Sequence, residues 1–165
     1  MLLERVQGVG VNVSNRSGST ALWLACQNGH GEVVRLLLAS SGIDVNQART
    51  DDGRTPLWMA CQEGYTPVVK LLLASSDIAI NQPVISGEEK DCTPLIVASY
   101  AGNASCVEQL LLRDMIDCAS VYEGENALTW ARASARSVGL SFLDEQINVE
   151  GRATVVQLLV DAGAQ

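Results

Sequence analysis

The segment Gly18-Ser-Thr-Ala-Leu-Trp-Leu-Ala-Cys-Gln-Asn-Gly29 returns as Gly53-Arg-Thr-Pro-Leu-Trp-Met-Ala-Cys-Gln-Glu-Gly64. It returns again, more diverged, as Asp91-Cys-Thr-Pro-Leu-Ile-Val-Ala-Ser-Tyr-Ala-Gly102, and a fourth copy opens at Gly124-Glu-Asn-Ala-Leu-Thr-Trp-Ala131. Aligned on the first leucine, Leu22, Leu57, Leu95 and Leu128 stand 35, 38 and 33 residues apart. A helical unit repeated at this period cannot bury its apolar face alone. Neighbouring units must therefore stack into an open array and not close into a globule.

Each copy reads as two short helices. Thr20, Thr55, Thr93 and Asn126 stand where the first helix starts, and their side-chain oxygens suit its free N–H groups. Pro56 and Pro94 follow at the first helical position, where a missing N–H costs nothing; Ala21 and Ala127 replace them in the other copies. Gly29, Gly64 and Gly102 end the helix with a left-handed turn. The small pairs Ala25-Cys26, Ala60-Cys61 and Ala98-Ser99 let adjacent helices approach closely. The second helix carries the larger side chains: Val33-Val34 with Leu36-Leu37-Leu38, Val68-Val69 with Leu71-Leu72-Leu73, Cys106-Val107 with Leu110-Leu111, and Val155-Val156 with Leu158-Leu159. At helical spacing these form one apolar face.

The Thr-Pro-Leu entries, the alanines at 25, 60, 98 and 131, the glycines and the Val-Val-x-Leu-Leu-Leu helices together resemble the ankyrin repeat, whose signature is Thr-Pro-Leu-His-x-Ala. The resemblance covers essentially the whole chain. It implies an all-α fold, an ankyrin-repeat solenoid of stacked helix-turn-helix units joined by β-hairpin-like loops. The units are a partial repeat over 1–17, then 18–52, 53–90, 91–123 and 124–165. Several residues depart from the family pattern. Trp23, Trp58, Ile96 and Thr129 stand in place of the histidine, so packing must replace its hydrogen bonds. Asp91 takes the place of a hairpin glycine, which predicts a distorted turn, and the stretch 83–90 lengthens one finger. Leu22 to Val33 spans 11 residues but Leu128 to Val155 spans 27, so about 16 residues are inserted near 134–150, either lengthening both helices or looping over the array's back. Both ends read as cut, and a slice of a longer protein is expected.

The bulk composition excludes several functions. The formal charge is −8, from 19 acidic and 11 basic residues. No Lys/Arg stripe follows a phosphate backbone, so nucleic acid is not expected as a partner. No apolar stretch reaches membrane-spanning length, and the start is no signal peptide, so an intracellular, cytoplasmic, soluble chain is the expectation. Five cysteines without a Cys-x-x-Cys read as buried, reduced thiols. His30 is the sole histidine and reads as a structural residue at a helix start. Asp51-Asp52 and Glu88-Glu89 sit at hairpin tips, where solvation accounts for them. No catalytic residue, metal site or cofactor is expected.

The resemblance implies a binding function. Ankyrin-like arrays hold proteins with their hairpin tips and the adjoining face of the first helices, which together form a concave groove. Carried over by position, the candidate partner-binding residues are Arg16, Ser17 and Ser19 in the first finger and Asp51, Asp52 and Arg54 in the second. Lys90 follows in the third and Tyr122, Glu123 and Glu125 in the fourth, with Gln27, Gln62 and Tyr100 on the helix ends. Tyr100 and Tyr122 are the expected aromatic anchors. Trp23 and Trp58 are either inter-repeat packing or exposed anchors, and their accessibility separates the two. The surface is basic at the first tip and acidic from the second onward, so a protein or peptide, basic or amphipathic, fits repeats two to four. The chain is expected to be a monomeric, non-catalytic scaffold; the alternatives are a docking arm of a larger enzyme or a stoichiometric inhibitor. Asn12, Asn46 and Asn81 share an exit-turn position, which predicts side-chain-to-backbone bonds within the turn. The resemblance also implies that an asparagine there can be hydroxylated.

Overall fold

A computed structural model describes residues 10–132 and 149–164. Helices come in pairs: α1 (Ala21–Gln27) with α2 (Gly31–Leu38), α3 (Pro56–Glu63) with α4 (Thr66–Leu73), and α5 (Pro94–Ala101) with α6 (Ala104–Leu111). A short hairpin, β1 (Val121–Tyr122) and β2 (Glu125–Asn126), leads into α7 (Ala127–Arg132), and α8 (Val149–Asp161) completes the fourth unit. First helices stack on first helices and second on second, in chain order. This is the stacked array that the repeats predicted.

Local chemistry places each helix. Trp23 N and Trp58 N donate to the hydroxyls of Thr20 and Thr55 at 3.1 Å, and Ile96 N to Thr93 at 3.3 Å. In the fourth unit Leu128 N and Thr129 N share the Asn126 carboxamide oxygen at 3.0 Å. These bonds satisfy donors that a helix start leaves free. At the far ends Gly64 and Gly102 both turn left-handed at φ 75°. Asp91 adopts φ 73°, close to the 79° of Gly53. The turn expected to be distorted is therefore kept, because a short polar side chain tolerates this region better than most. Every residue of α5 is buried, as an interior helix that is apolar all round must be.

The exit-turn asparagines work differently from expectation. Asn12 Nδ2 donates to Gly42 O at 2.7 Å while its Oδ1 accepts from Asp44 N at 2.9 Å. Asn46 does the same with Asp77 O and Ala79 N at 2.7 and 2.8 Å, and Asn81 with Met115 O and Asp117 N at 2.6 and 2.9 Å. Each bond crosses to the next repeat, so the asparagines tie units together and do not close their own turns. The rung stops at Ala119, which holds the fourth place in the series. A cavity of about 380 Å³ lies there, lined by Cys118, Ala119, Asn126, Gly163 and Ala164. Two bonds at roughly 1 kcal/mol each make Asn46→Ala destabilising by about 2 kcal/mol in urea unfolding. Ala119→Asn should stabilise by about 1 kcal/mol. Unchanged midpoints in both variants would remove the asparagines as a source of coupling.

The last unit is joined by other means. α2, α4 and α6 are 8 residues long, whereas α8 has 13. Aligned at Val33 and Val155, α8 begins about one turn early. The insert was expected near 134–150, either lengthening both helices or looping, and helix covers its last two residues from Val149 on. The rest of the insert and residues 1–9 of the partial first unit lie outside the described residues. The extra turn carries Arg152, whose Nε and Nη2 donate to Tyr100 O at 3.0 and 2.7 Å. One repeat earlier, Asn103 Nδ2 donates to Cys61 O and Gln62 O at 2.9 Å. Gln62 and Tyr100 hold equivalent places, so Arg152 caps the end of α5 as Asn103 caps the end of α3. A guanidinium there also suits the negative end of the helix. Burial pushes the pKa of Arg152 down, partly offset by Tyr100.

Candidate functional site

The hairpin fingers stack as closely as the helices, and this decides which side chains reach solvent. Thr50 N donates to Ser17 O at 3.1 Å, and Ser86 N to Asp52 O at 3.3 Å. The backbone of the second finger thus rests on the turn of the first, and that of the third on the turn of the second. Gly18 and Gly53 make this approach feasible: a Cβ on Gly18 would collide with Thr50, and one on Gly53 with Ile85. Both also sit at φ 79°, where glycine alone is at ease.

Beneath the fingers runs a row of indoles and guanidinium groups. The Arg49 guanidinium carbon lies 5.0 Å from the Trp23 ring centroid, and that of Arg54 lies 4.9 Å from Trp58. Trp23 Nε1 donates to Arg54 O at 2.9 Å, tying the first unit to the second finger. Arg54 Nη2 meets Glu89 Oε1 at 2.7 Å, and Asp52 Oδ2 stands 3.6 Å from both Arg49 Nε and Arg54 Nε. Side-chain exposure is 11% for Arg54 and 6% for Glu89. These charges are held by one another and by aromatic faces, in surroundings that strengthen both contacts. They build the fingers.

Several expected contact residues are therefore withdrawn from the surface. Trp23 and Trp58 are buried, which selects the packing reading for both. Tyr100 and Tyr122, expected as exposed anchors, are each only 2% accessible. They clamp Trp130: Tyr100 edge-on at 5.4 Å between centroids, Tyr122 stacked at 5.3 Å. The Tyr122 hydroxyl donates to Glu88 O at 2.6 Å, which docks the fourth finger on the third. Gln62 and Ser19 are also buried, the first within an α3 buried from Pro56 to Gln62, the second through the Asn15–Ser19 turn bonds at 3.0 and 3.1 Å. Arg54 and Asp52 face the inner row just described. The first-helix face of repeats two and three thus offers a partner little beyond Glu63, which is half-buried.

What remains accessible is the row of fingertips. Arg16, Asp51, Lys90, Glu123 and Glu125 are exposed, and Ser17 and Gln27 half-buried. The structure adds residues that the sequence reading did not count among the contacts: Glu88 and Asp91, noted there only as tip and turn residues, are exposed, and so are Ile85 at 64% and Val121 at 53%. Their only sequence signal was the lengthened stretch 83–90 and a β-branched residue beside a two-residue turn. From the second finger to the fourth, the exposed tip residues include Asp51, Glu88, Asp91, Glu123 and Glu125 beside Lys90, with Ile85 and Val121 between them and the half-buried Arg49 paired with Asp51 at 3.2 Å.

The thiols are inert by construction. Burial pushes Cys26 and Cys92 up to about 12, and burial, with Cys106 and Cys26 nearby, also raises Cys61 well above the usual thiol range. Trp58 Nε1–H finds no oxygen partner and faces the Cys92 sulfur. Cys118 is the one thiol of the five that is not buried, so a thiol-reactive disulfide at pH 8 should release about one equivalent from the native chain and five after denaturation. More than two native equivalents would contradict this burial. An unfolded thiol ionises near 8.5 while these hold their protons to higher pH, so stability should be level below about pH 8 and fall as pH rises beyond it. Among the described residues no group of three or more His, Cys, Asp or Glu is placed to hold a metal.

Comparison with known proteins agrees with this architecture. A family model of three ankyrin repeats matches residues 1–84, and a single-repeat model matches 90–121. The chain belongs to the ankyrin-repeat family, whose members are in general protein-interaction modules. A stretch of 39 residues is 51% identical to osteoclast-stimulating factor 1 of Xenopus laevis, and 46% and 44% identical to the proteins of that name in Bos taurus and Rattus norvegicus. The match covers 24% of this chain and 18% of each relative's length. No helix among the described residues is long and apolar enough to cross a membrane.

Proposed function

We propose that this chain is a non-catalytic module that binds a basic segment of a partner protein along the tips of its second, third and fourth fingers. The observation that carries this reading is the accessible row of Asp51, Glu88, Asp91, Glu123 and Glu125 around exposed Ile85 and Val121. A rigid scaffold that keeps its aromatic and guanidinium groups inward while presenting acids and β-branched residues outward suits a partner with Lys or Arg beside apolar side chains. Complementary charge raises the rate of encounter and excludes acidic competitors. The partner footprint lies on the fingers, since α3 and α5 leave little of the first-helix face open.

The test is affinity capture with the native chain and with a variant carrying Asp51→Lys, Glu88→Lys, Glu123→Lys and Glu125→Lys. These side chains are exposed, and their one ion pair among the described residues, Asp51 with Arg49 at 3.2 Å, is a surface contact, so the variant should lose no more than about 1 kcal/mol of stability. Partners captured by the native chain should be lost with the variant, and should weaken with added salt. Equal capture by both would exclude the fingertips.

A further inference from the structure

We infer that Ser86 is a phosphate-acceptor site, through which a protein kinase with a basic substrate cleft raises the charge of the fingertip row. This rests on the fingertip reading and adds its regulation.

The third finger offers this hydroxyl on a tip that lifts without opening its base. Val84 N donates to Cys92 O at 3.1 Å and Asp91 N to Val84 O at 2.8 Å, so the base is closed by the finger's own bonds. Within the tip, half-buried Ser86 is hooked to the second finger by two long bonds. Its N donates to Asp52 O at 3.3 Å and its Oγ to Asp51 O at 3.1 Å. Ile85 before it is 64% exposed. Gly87 after it is left-handed at φ 86°, with no atom nearer than 4.0 Å to the place of a Cβ. Beyond them Glu89 stays anchored to Arg54 at 2.7 Å. Lifting Ser86 therefore breaks two surface bonds between an open residue and a fixed one, a local opening of low cost.

Carboxylates surround the hydroxyl. Glu88 and Glu89 follow it two and three places on, Asp91 five places on, and Asp51 lies against it across the finger stack. Lys90 is the one cation between Ser86 and Asp91. Kinases discriminate substrates by such charge patterns, and a cleft lined by Lys and Arg complements this one. Other hydroxyls beside acids are less available. Ser120 Oγ donates to the Asp117 carboxylate at 2.7 Å, a charge-assisted bond. Thr50, followed by Asp51 and Asp52, has its Oγ1 packed 2.6 Å from the place of a Cβ on Gly18.

In the transfer, Ser86 Oγ attacks the γ-phosphorus of ATP. The Oγ–P bond forms as the bond from that phosphorus to the ADP oxygen breaks, and the hydroxyl proton passes to the kinase's base. The product carries about −1.5 to −2 further charge at pH 7, set between Asp51 and Glu88. It also removes the donor that Asp51 O accepted. The tip then unhooks from the second finger and presents Ile85 and the phosphate together to a basic segment.

The native chain is incubated with ATP and an acid-directed kinase, with casein as the control for kinase competence, and phosphate is placed by peptide mass spectrometry. Phosphate on Ser86 is expected, with roughly tenfold slower transfer to Glu88→Lys. A native chain left unmodified while casein is phosphorylated, or modified at Thr50 or Ser120 instead, overturns the site. Binding is read with a fluorescein-labelled Lys-Val repeat peptide by fluorescence anisotropy at low salt. The phosphorylated chain should bind about threefold tighter than the unmodified one, and Ser86→Ala should gain nothing from the same treatment. Equal or weaker binding after phosphorylation overturns the regulation. The fingertip reading is judged separately, on the unmodified chain. It stands if Asp51→Lys with Glu88→Lys weakens the peptide, and falls if that variant binds as the native chain does.

Discussion

Trp58→Ala is expected to cost about 4 kcal/mol, a large share of the 5–15 kcal/mol that holds a typical domain together. Trp58 is fully buried in the core, with the Arg54 guanidinium 4.9 Å above its ring. Removing the indole opens a cavity in the stack and uncovers the Arg54–Glu89 pair, which then loses both an aromatic face and its shield from water. The milder exchange is as informative. Trp58 Nε1–H has no oxygen partner, whereas Trp23 Nε1–H donates to Arg54 O at 2.9 Å. Trp23→Phe should therefore cost about 1 kcal/mol more than Trp58→Phe, measured by urea denaturation. Equal losses would mean that the Trp23 bond contributes nothing to joining the first two repeats.

Arg152→Met is expected to cost about 3 kcal/mol, through two charge-assisted bonds to Tyr100 O and the exposure of that carbonyl without a partner. The loss should be local. α7 and α8 have no asparagine rung to the third repeat, so without Arg152 they rest on Tyr122, Trp130 and apolar packing. Hydrogen exchange should accelerate across α7 and α8 while α1 to α4 keep native protection. Arg152→Lys should recover only part of the loss, since an ammonium does not reproduce the planar fork or its stacking on Tyr100, 5.1 Å from the ring centroid. Acceleration spread evenly over all four repeats would show that Arg152 stabilises the array as a whole instead of fastening its last unit.

The stacking order and the helix entries at Thr20, Thr55, Thr93 and Asn126 were legible in the residues. All of these depend on period and local chemistry. What escaped depends on neighbours in space. Nothing local distinguishes an asparagine that closes its own turn from one that reaches the next repeat, so Asn46 was assigned the wrong partner. Tyr122 holds the place where Arg16 and Asp51 are exposed in the first two fingers, but stacking on Trp130 draws its ring inward. Tyr100 is buried like its equivalent Gln62, and packs edge-on against the same Trp130. Arg152 lies behind an insert that breaks the alignment, which hid its equivalence to Asn103. Exposure at the fingertips was legible only in part: Glu123 and Glu125 flank Gly124 and face outward, whereas Asp52 and Arg54 flank Gly53 and turn inward, towards Arg49 and Glu89.

Hydrogen exchange of the array alone and with its captured partner, resolved by mass spectrometry, tests the fingertip site most directly. Protection should appear over 49–54, 84–91 and 119–126, with the outer faces of α2, α4 and α6 unchanged. Protection on those outer faces, with the fingers exchanging as in the free chain, would place the partner on the back of the array and contradict a fingertip interface.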